Sequence, residues 1–210
     1  AALDRMEGWL RLAQTPPAKA RIAIVLSTYP GRADQLAHAV GLDALGSTQY
    51  LLKTLKQNGY AAGPVADLGK ALMRERIHWP IATYRDAISG GLEPFSDLED
   101  AWGDPETDPL AQDGAYGFSA IQSGNVLIAL QPERGDVMTR EDDYHDLSRT
   151  PRHSYVAFYL WLRAQGVDAI IHMGAHGTLE WLPGKAVALT EACWPEVLTC
   201  APVIYPFIVN

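Results

Sequence analysis

The chain has 210 residues and carries 17 Lys and Arg against 25 Asp and Glu, which gives a formal net charge of −8. This acidic balance argues against a general nucleic-acid binder, because phosphate binding needs a concentrated basic surface. Hydrophobic residues make up 48% of the chain, the composition of a folded protein with a sizeable core. The longest apolar runs are strand-sized, well short of the ~20 residues of a membrane helix. We therefore expect a cytoplasmic protein without membrane insertion.

The cysteines indicate the redox compartment of the protein, and the chain ends indicate its relation to a longer protein. Cys193 and Cys200 lie seven residues apart and form no CxxC pair, which favours ordinary thiols in a reducing compartment over a disulfide framework. The sequence lacks an initiator Met and ends in a strand-like run. We expect it to be an internal piece of a longer protein.

The first half of the chain predicts a helical lead-in or linker at residues 1–20, followed by an α/β region at 21–210. Leu3, Met6, Leu10 and Ala13 fall on one helical stripe. The β-branched run at residues 21–26 predicts a buried parallel strand. Helices are expected at 44–58 and 67–76.

Residues 86–133 contain ten acidic residues and no Lys or Arg. We expect an acidic excursion at about 86–120, exposed to solvent. An alternative is an acidic rim that attracts cations.

The second half predicts further strands at 126–130, 167–172 and 202–209. Thr150 as N-cap and Pro151 at the first helical position predict a buried helix that ends at Gly166. Strands that alternate with helices indicate an α/β fold, a mostly parallel sheet flanked by helices. Ligands of such sheets bind beyond the carboxyl ends of the strands.

A histidine-rich segment follows the strand at 167–172. Gly174 and Gly177 disfavour a continuous helix over His172, His176 and Glu180, so we expect a strand end, a glycine turn and a short helix capped by Thr178. Imidazole and carboxylate together suit a borderline divalent cation, and the same pair could accept a proton. His172 could instead be a hydrogen-bonded residue near the core.

Two more histidines are candidate metal ligands. His153 lies in the first turn of the helix after Thr150, where the helix dipole opposes protonation, so it could ligate a metal, accept a proton, or pack beside the cap. His145 lies among carboxylates that favour its charged form. It could be a loop ligand or a surface residue.

Gly184-Lys185 does not form a nucleotide-binding loop. Six residues separate Gly177 from Gly184, where the motif has four, and Ala186 replaces the Ser or Thr that would hold magnesium. We do not expect this chain to hydrolyse ATP.

The segment His172-Met-Gly-Ala-His-Gly-Thr-Leu-Glu-Trp-Leu-Pro-Gly-Lys resembles the signature of the cobaltochelatase large subunit (CobN type), which is related to the magnesium chelatase large subunit. Shorter segments match in the same order, among them Ala101-Trp-Gly and Pro151-Arg-His-Ser-Tyr. Trp181-Leu182 resembles the cobalt branch, whereas Ala175 stands where many relatives have Thr.

The resemblance implies a macrocycle-binding, metal-inserting subunit of an ATP-dependent cobaltochelatase, in which AAA+ motor subunits hydrolyse the ATP. The macrocycle would be the corrin precursor hydrogenobyrinic acid a,c-diamide, and Co²⁺ would be the substrate metal. Glu180 and His176 are then the catalytic candidates. The candidate metal ligands are His153, His176, Glu180, His145 and His172, and the candidate substrate contacts are Gln131, Tyr29, Lys185 and Trp181.

Three alternatives remain. The chain could belong to a magnesium chelatase that inserts Mg²⁺ into protoporphyrin IX. It could be a non-catalytic module that holds the macrocycle or docks the motor subunits. A metallohydrolase is the weakest alternative, because a nucleophile motif such as GxSxG is absent.

Overall fold

The computed structural model describes residues 2–27, 38–39, 42–90, 92–135, 148–174, 179–184, 190–199 and 201–206. The helices are α1 (Ala2–Gln14), α2 (Ala44–Gln57), α3 (Leu68–Arg74), α4 (Ile81–Ile88), α5 (Leu98–Trp102), α6 (His153–Ala164) and α7 (Trp194–Leu198). Short 3-10 helices cover Glu93–Phe95, Pro105–Thr107 and Leu179–Trp181.

The strands are β1 (Ile22–Leu26), β2 (His38–Ala39), β3 (Leu42–Asp43), β4 (Ile77–Pro80), β5 (Ala111–Gln112), β6 (Ala115–Phe118), β7 (Ala120–Ser123), β8 (Val126–Leu130), β9 (Ala169–Met173) and β10 (Val203–Ile204). The main sheet has five strands in the order β10-β9-β1-β8-β7. β1 lies at its centre and pairs in parallel with both β8 and β9. β10 is parallel to β9, whereas the edge strand β7 is antiparallel to β8. The predicted α/β fold, with a mostly parallel sheet flanked by helices, is confirmed.

Two hydrophobic layers cover the two faces of the main sheet, because successive side chains of a strand point to opposite faces. Ala23 and Val25 of β1 pack in the layer that contains α6, α7 and the aromatic residues of β4 and β6. Ile22, Ile24 and Leu26 pack in the other layer, with residues of α2 and α3. The all-apolar run in α6 is buried from Tyr155 to Leu162, as its sequence predicts.

Most carboxylates of the acidic segment are exposed, among them Asp97, Glu99 and Asp104, but the segment also contributes to the core. It contains most of a small antiparallel sheet of order β4-β6-β5, and Phe95, Leu98, Tyr116 and Phe118 are buried in the core. Net charge does not predict this contribution to the core, because the buried residues are uncharged.

The start of α6 also differs from the expectation. The helix begins at His153, with Arg152 as N-cap, and not at Thr150 and Pro151. Arg152 provides no side-chain cap. Instead, Asp108 from the acidic segment accepts a hydrogen bond from the Ser154 backbone N–H at 3.1 Å.

Helix α1 forms as predicted, but its apolar stripe is not the buried face. Leu3, Met6 and Leu10 are exposed. The helix is held from its other side, where Arg5 pairs with Glu196 at 2.9 Å and Gly8 is buried. In the described part of the chain, no helix combines the length and the apolar content needed to cross a bilayer.

Candidate functional site

The carboxyl ends of three adjacent parallel strands define one edge of the main sheet. β1 ends at Leu26, β8 at Leu130 and β9 at Met173. At this edge Gly174 lies against β1, and a Cβ at position 174 would come within 2.8 Å of the Ser27 Cβ. Glycine therefore lets the ends of β1 and β9 remain close together. This is the edge at which parallel α/β sheets bind ligands.

His172 occupies the end of β9 and is 1% exposed. Its Nε2 lies 3.2 Å from the Tyr159 hydroxyl, and that hydroxyl donates to Gln131 Oε1 at 2.7 Å. A tyrosine hydroxyl has a single proton. Since Tyr159 gives it to Gln131, it must accept from His172, which places the imidazole proton on Nε2.

The other nitrogen of His172 then carries a bare lone pair. His172 Nδ1 is buried and has no hydrogen-bond partner among the described residues. The Tyr205 ring stacks on the imidazole at 5.2 Å between centroids, with the planes 12° apart. An unpaired buried nitrogen is unusual in a folded protein and calls for an explanation such as a catalytic role or an ion.

Burial lowers the pKa of His172 to about 3, because desolvation disfavours the charged imidazolium. The imidazole therefore stays neutral at physiological pH. A neutral imidazole is the form that binds metal ions.

His153 lies in a different and fully hydrogen-bonded environment. It is 0% exposed, its Nδ1 lies 2.7 Å from the Tyr84 hydroxyl and its Nε2 lies 2.9 Å from the Gly103 carbonyl oxygen. The carbonyl can only accept, so Nε2 carries the proton and Nδ1 accepts from Tyr84. Burial lowers the pKa of His153 as well. A metal-binding role for His153 stays a prediction, and it requires the Tyr84 bond to be exchanged for the metal.

Trp181 lies at the end of the Leu179–Trp181 helix and is half-buried. Its carbonyl oxygen accepts from the guanidinium of Arg134, which holds this helix against the segment after β8. Leu179 and Leu182 are buried in the core beside it.

The other predicted site residues are only partly covered by the structure. Glu180 lies in the same short helix, but its side chain is outside the described part of the chain. His176, His145, Tyr29 and Lys185 also lie outside the described residues. Among the described residues, no three His, Cys, Asp or Glu side chains come together as a metal-binding group. The predicted ligand set therefore stays a prediction.

A cavity of about 310 Å³ adjoins Gln131 on the side of α6. It is lined by the turn after the Pro105–Thr107 helix, by β6 and by the segment after β8, and its polar groups include Gln131, Arg152 and Ser154. Gln131 thus belongs both to the cavity wall and to the hydrogen-bonded chain that reaches His172.

Sequence reasoning missed Tyr159 and Arg152. Tyr159 lies within a run of apolar and aromatic residues whose pattern indicates only burial. Arg152 directly precedes α6, and it lines the cavity together with Asp108, 44 residues earlier in the chain. The one sequence signal for Arg152 is its place in the family-matching segment Pro151-Arg-His-Ser-Tyr, which does not show that the side chain faces a cavity.

Comparison with known proteins identifies the family of this chain. The sequence model of the family described as CobN/Magnesium Chelatase matches residues 1–210. The chain belongs to the CobN/Magnesium Chelatase family. The resemblance found in the histidine-rich segment is thereby confirmed.

Individual relatives of the CobN/Magnesium Chelatase family favour the cobalt branch. The chain is 40% identical over 227 residues to the aerobic cobaltochelatase subunit CobN of Sinorhizobium sp, which covers 100% of this chain and 18% of the relative. It is 30% identical over 223 residues to the chloroplastic magnesium-chelatase subunit ChlH of Oryza sativa subsp. indica, with 96% and 16% covered. The chain thus spans less than a fifth of the length of these relatives.

A solved structure contains a region with the same fold as this chain. The catalytic subunit of cobaltochelatase from Mycobacterium tuberculosis superposes with a TM-score of 0.78 and 32% sequence identity, covering 98% of this chain and 20% of that subunit. The α/β architecture therefore corresponds to one region of a CobN-like subunit.

Proposed function

We propose that this chain forms part of the macrocycle-binding, metal-inserting site of a cobaltochelatase, at the carboxyl edge of its main sheet. The substrate metal would be Co²⁺ and the macrocycle hydrogenobyrinic acid a,c-diamide, in cobalamin biosynthesis. AAA+ partner subunits would hydrolyse the ATP. The observation that carries the proposal is the buried, neutral His172, whose Nδ1 lone pair has no partner among the described residues.

Metal insertion requires three steps: water leaves the cation, protons leave the pyrrolic nitrogens, and the metal is presented to one face of the ring. Neutral imidazoles can replace the lost waters. The ligands must also release the metal, so an open and incomplete set suits the reaction better than a closed four-ligand cage. His172 and His176, which are four residues apart in the chain, are the proposed transient ligands.

The proton acceptor is a separate group. With its pKa lowered to about 3, His172 is a poor base near neutral pH, because an efficient acceptor has a pKa near the working pH. We assign proton acceptance to Glu180, which follows His176 by four residues. Trp181, Tyr29 and Lys185 stay candidates for contacts with the macrocycle, and Gln131 for contacts with its amides.

The test uses the full-length subunit with its ATP-hydrolysing partners, Co²⁺ and hydrogenobyrinic acid a,c-diamide, with insertion followed by the change in the macrocycle absorption spectrum. Glu180→Ala should abolish cobalt insertion and leave macrocycle binding largely intact. Glu75→Ala, at an exposed position, is the matched control and should insert cobalt normally. Normal insertion by Glu180→Ala would exclude Glu180 as the proton acceptor.

Two other candidates are separated by the same assay. The 30% identity to a magnesium-chelatase subunit supports the magnesium alternative, which predicts insertion of Mg²⁺ into protoporphyrin IX by the wild type and no insertion of Co²⁺. Both ring nitrogens of His153 are hydrogen-bonded. This supports a non-catalytic module that holds the macrocycle or docks the motor subunits. In that case Glu180→Ala, His172→Gln and His176→Ala should all insert cobalt at the wild-type rate.

A further inference from the structure

The cavity beside Gln131 has an apolar lining with one positively charged group. Leu110, Phe118 and Leu130 provide apolar walls, and Arg152 lies among them. At about 310 Å³, the cavity is at the lower end of the range for small-molecule sites. It is therefore suited to a substituent of a large ligand and not to a whole tetrapyrrole-sized ring.

Arg152 lies over an aromatic ring at this cavity. Its guanidinium carbon lies 4.8 Å from the centre of the Trp102 ring, a distance typical of a cation–π contact. The Trp102 indole N–H donates to the Thr150 carbonyl oxygen at 2.9 Å, which fixes the ring under the guanidinium.

The hydrogen-bonding capacity of Arg152 is largely unused. Its Nε is buried without a hydrogen-bond partner among the described residues, and one terminal nitrogen donates to Gly135 in a long bond of 3.5 Å. A guanidinium has five N–H donors, and leaving them unpaired in a partly buried place is costly. The side chain is 19% exposed, so a ligand can reach it.

Asp108 balances the charge of Arg152 but does not satisfy its donors. The Asp108 Oδ2 atom lies 3.7 Å from Arg152 Nε, too far for a hydrogen bond. Both oxygens of Asp108 already accept from backbone N–H groups, Oδ1 from Leu110 at 3.0 Å and Oδ2 from Ser154 at 3.1 Å. The guanidinium therefore remains available for a second acceptor.

We propose that this cavity binds a carboxylate-bearing side chain at the periphery of the macrocycle, with Arg152 as the carboxylate-binding residue. The inference rests on the proposed function. The planar fork of Arg matches a carboxylate with two parallel bonds, which is stronger than one bond to a neutral amide. The apolar walls accommodate the methylene groups of the same side chain.

The position of the cavity is consistent with the proposed metal-insertion site. Gln131 lines the cavity and also accepts from Tyr159, the hydroxyl that holds His172. A macrocycle anchored by one carboxylate in this cavity therefore has its ring next to the carboxyl edge of the sheet. Because Asp108 and Glu133 also line the cavity, the selectivity depends on direct contact with Arg152 and not on the overall local charge.

The experiment measures binding of two probes to the full-length subunit by absorption and fluorescence titration. The probes are hydrogenobyrinic acid a,c-diamide and the same compound with its remaining carboxyl groups methyl-esterified. Arg152→Met should raise the Kd of the acid about tenfold or more, as expected for the loss of a charge-assisted pair, and should leave the Kd of the ester nearly unchanged. Arg74→Met, at an exposed position on α3, is the control and should bind both probes like the wild type.

Arg152→Lys retains the positive charge beside Trp102 and should weaken acid binding less than Arg152→Met. If Arg152→Met does not fold, Arg152→Lys provides the test of the carboxylate assignment. An equal loss for acid and ester in both variants, or no loss for the acid, would overturn the carboxylate assignment while leaving the proposed function in place. Failure of the wild type to bind either probe would overturn the proposed function and this inference with it.

Discussion

Tyr159→Phe tests the hydrogen-bonded chain that joins Gln131 to His172. The substitution removes one hydroxyl and retains the ring, so packing in α6 is preserved. The lost hydroxyl leaves Gln131 Oε1 and His172 Nε2–H without their bonds of 2.7 and 3.2 Å. His172 is 1% exposed, so its N–H cannot turn to bulk water.

The loss of stability can be worked out from the contact that His172 loses. A buried polar group that loses its partner costs about 1–3 kcal/mol, and the His172 Nε2–H becomes such a group. We therefore expect Tyr159→Phe to lower the free energy of unfolding of this region by about 1–3 kcal/mol.

Hydrogen–deuterium exchange of the full-length subunit, resolved to peptides from β9 and α6, measures this local stability. Tyr50→Phe is the control, since Tyr50 is 73% exposed, and it should exchange like the wild type. A change below about 0.5 kcal/mol in Tyr159→Phe, the usual size of a neutral surface substitution, would refute the assigned chain and with it the tautomer of His172.

Two further predictions concern acid stability and the start of α6. The pKa of His172 is about 3 in the folded state and about 6.5 in the unfolded state. Between these values the unfolded state binds a proton that the folded state does not. The free energy of unfolding should therefore fall as the pH is lowered from about 6.5 towards 3, by up to about 1.4 kcal/mol per pH unit. Unfolding midpoints measured against pH should show a weaker dependence in His172→Gln than in the wild type, and equal slopes in the two proteins would contradict this. Asp108→Ala removes the acceptor of the Ser154 N–H and the counter-charge of Arg152, and it should destabilise the region by about 3 kcal/mol or more, measured by thermal unfolding. Asp86→Ala, at an exposed position in the same acidic segment, should change little, and a loss as small for Asp108→Ala would show that its carboxylate does not support α6.

The sequence predicts the elements of the main sheet because their signals are local. β1 and β8 are short, almost purely apolar runs between polar turns, and each forms within one residue of its predicted bounds. The helices at 44–57 and 68–74 likewise follow from local capping, with Asp43 and Asp67 as N-caps. Such patterns need no knowledge of distant residues.

The start of α6 was predicted wrongly, because the residue that decides it is distant in the chain. Thr150 and Pro151 form a good local helix start, but Asp108 accepts from the Ser154 N–H across 46 residues of sequence. A local pattern contains no information on such a partner.

The two buried histidines show most clearly what the sequence alone cannot decide. Both His153 and His172 are buried, and residue type and spacing made each a candidate ligand. Only the tertiary structure separates them: Tyr84, 69 residues away, uses the free nitrogen of His153, while His172 Nδ1 has no partner among the described residues.

By itself, the sequence determined the α/β class, the strands that form the carboxyl edge and the family to which the chain belongs, because these follow from local apolar runs and from a long contiguous motif. The tertiary structure alone decided which imidazole retains a free lone pair and where Arg152 faces a cavity. Hydrogen-bond partners and cavity walls come from residues distant in the chain, and they meet only when the core packs.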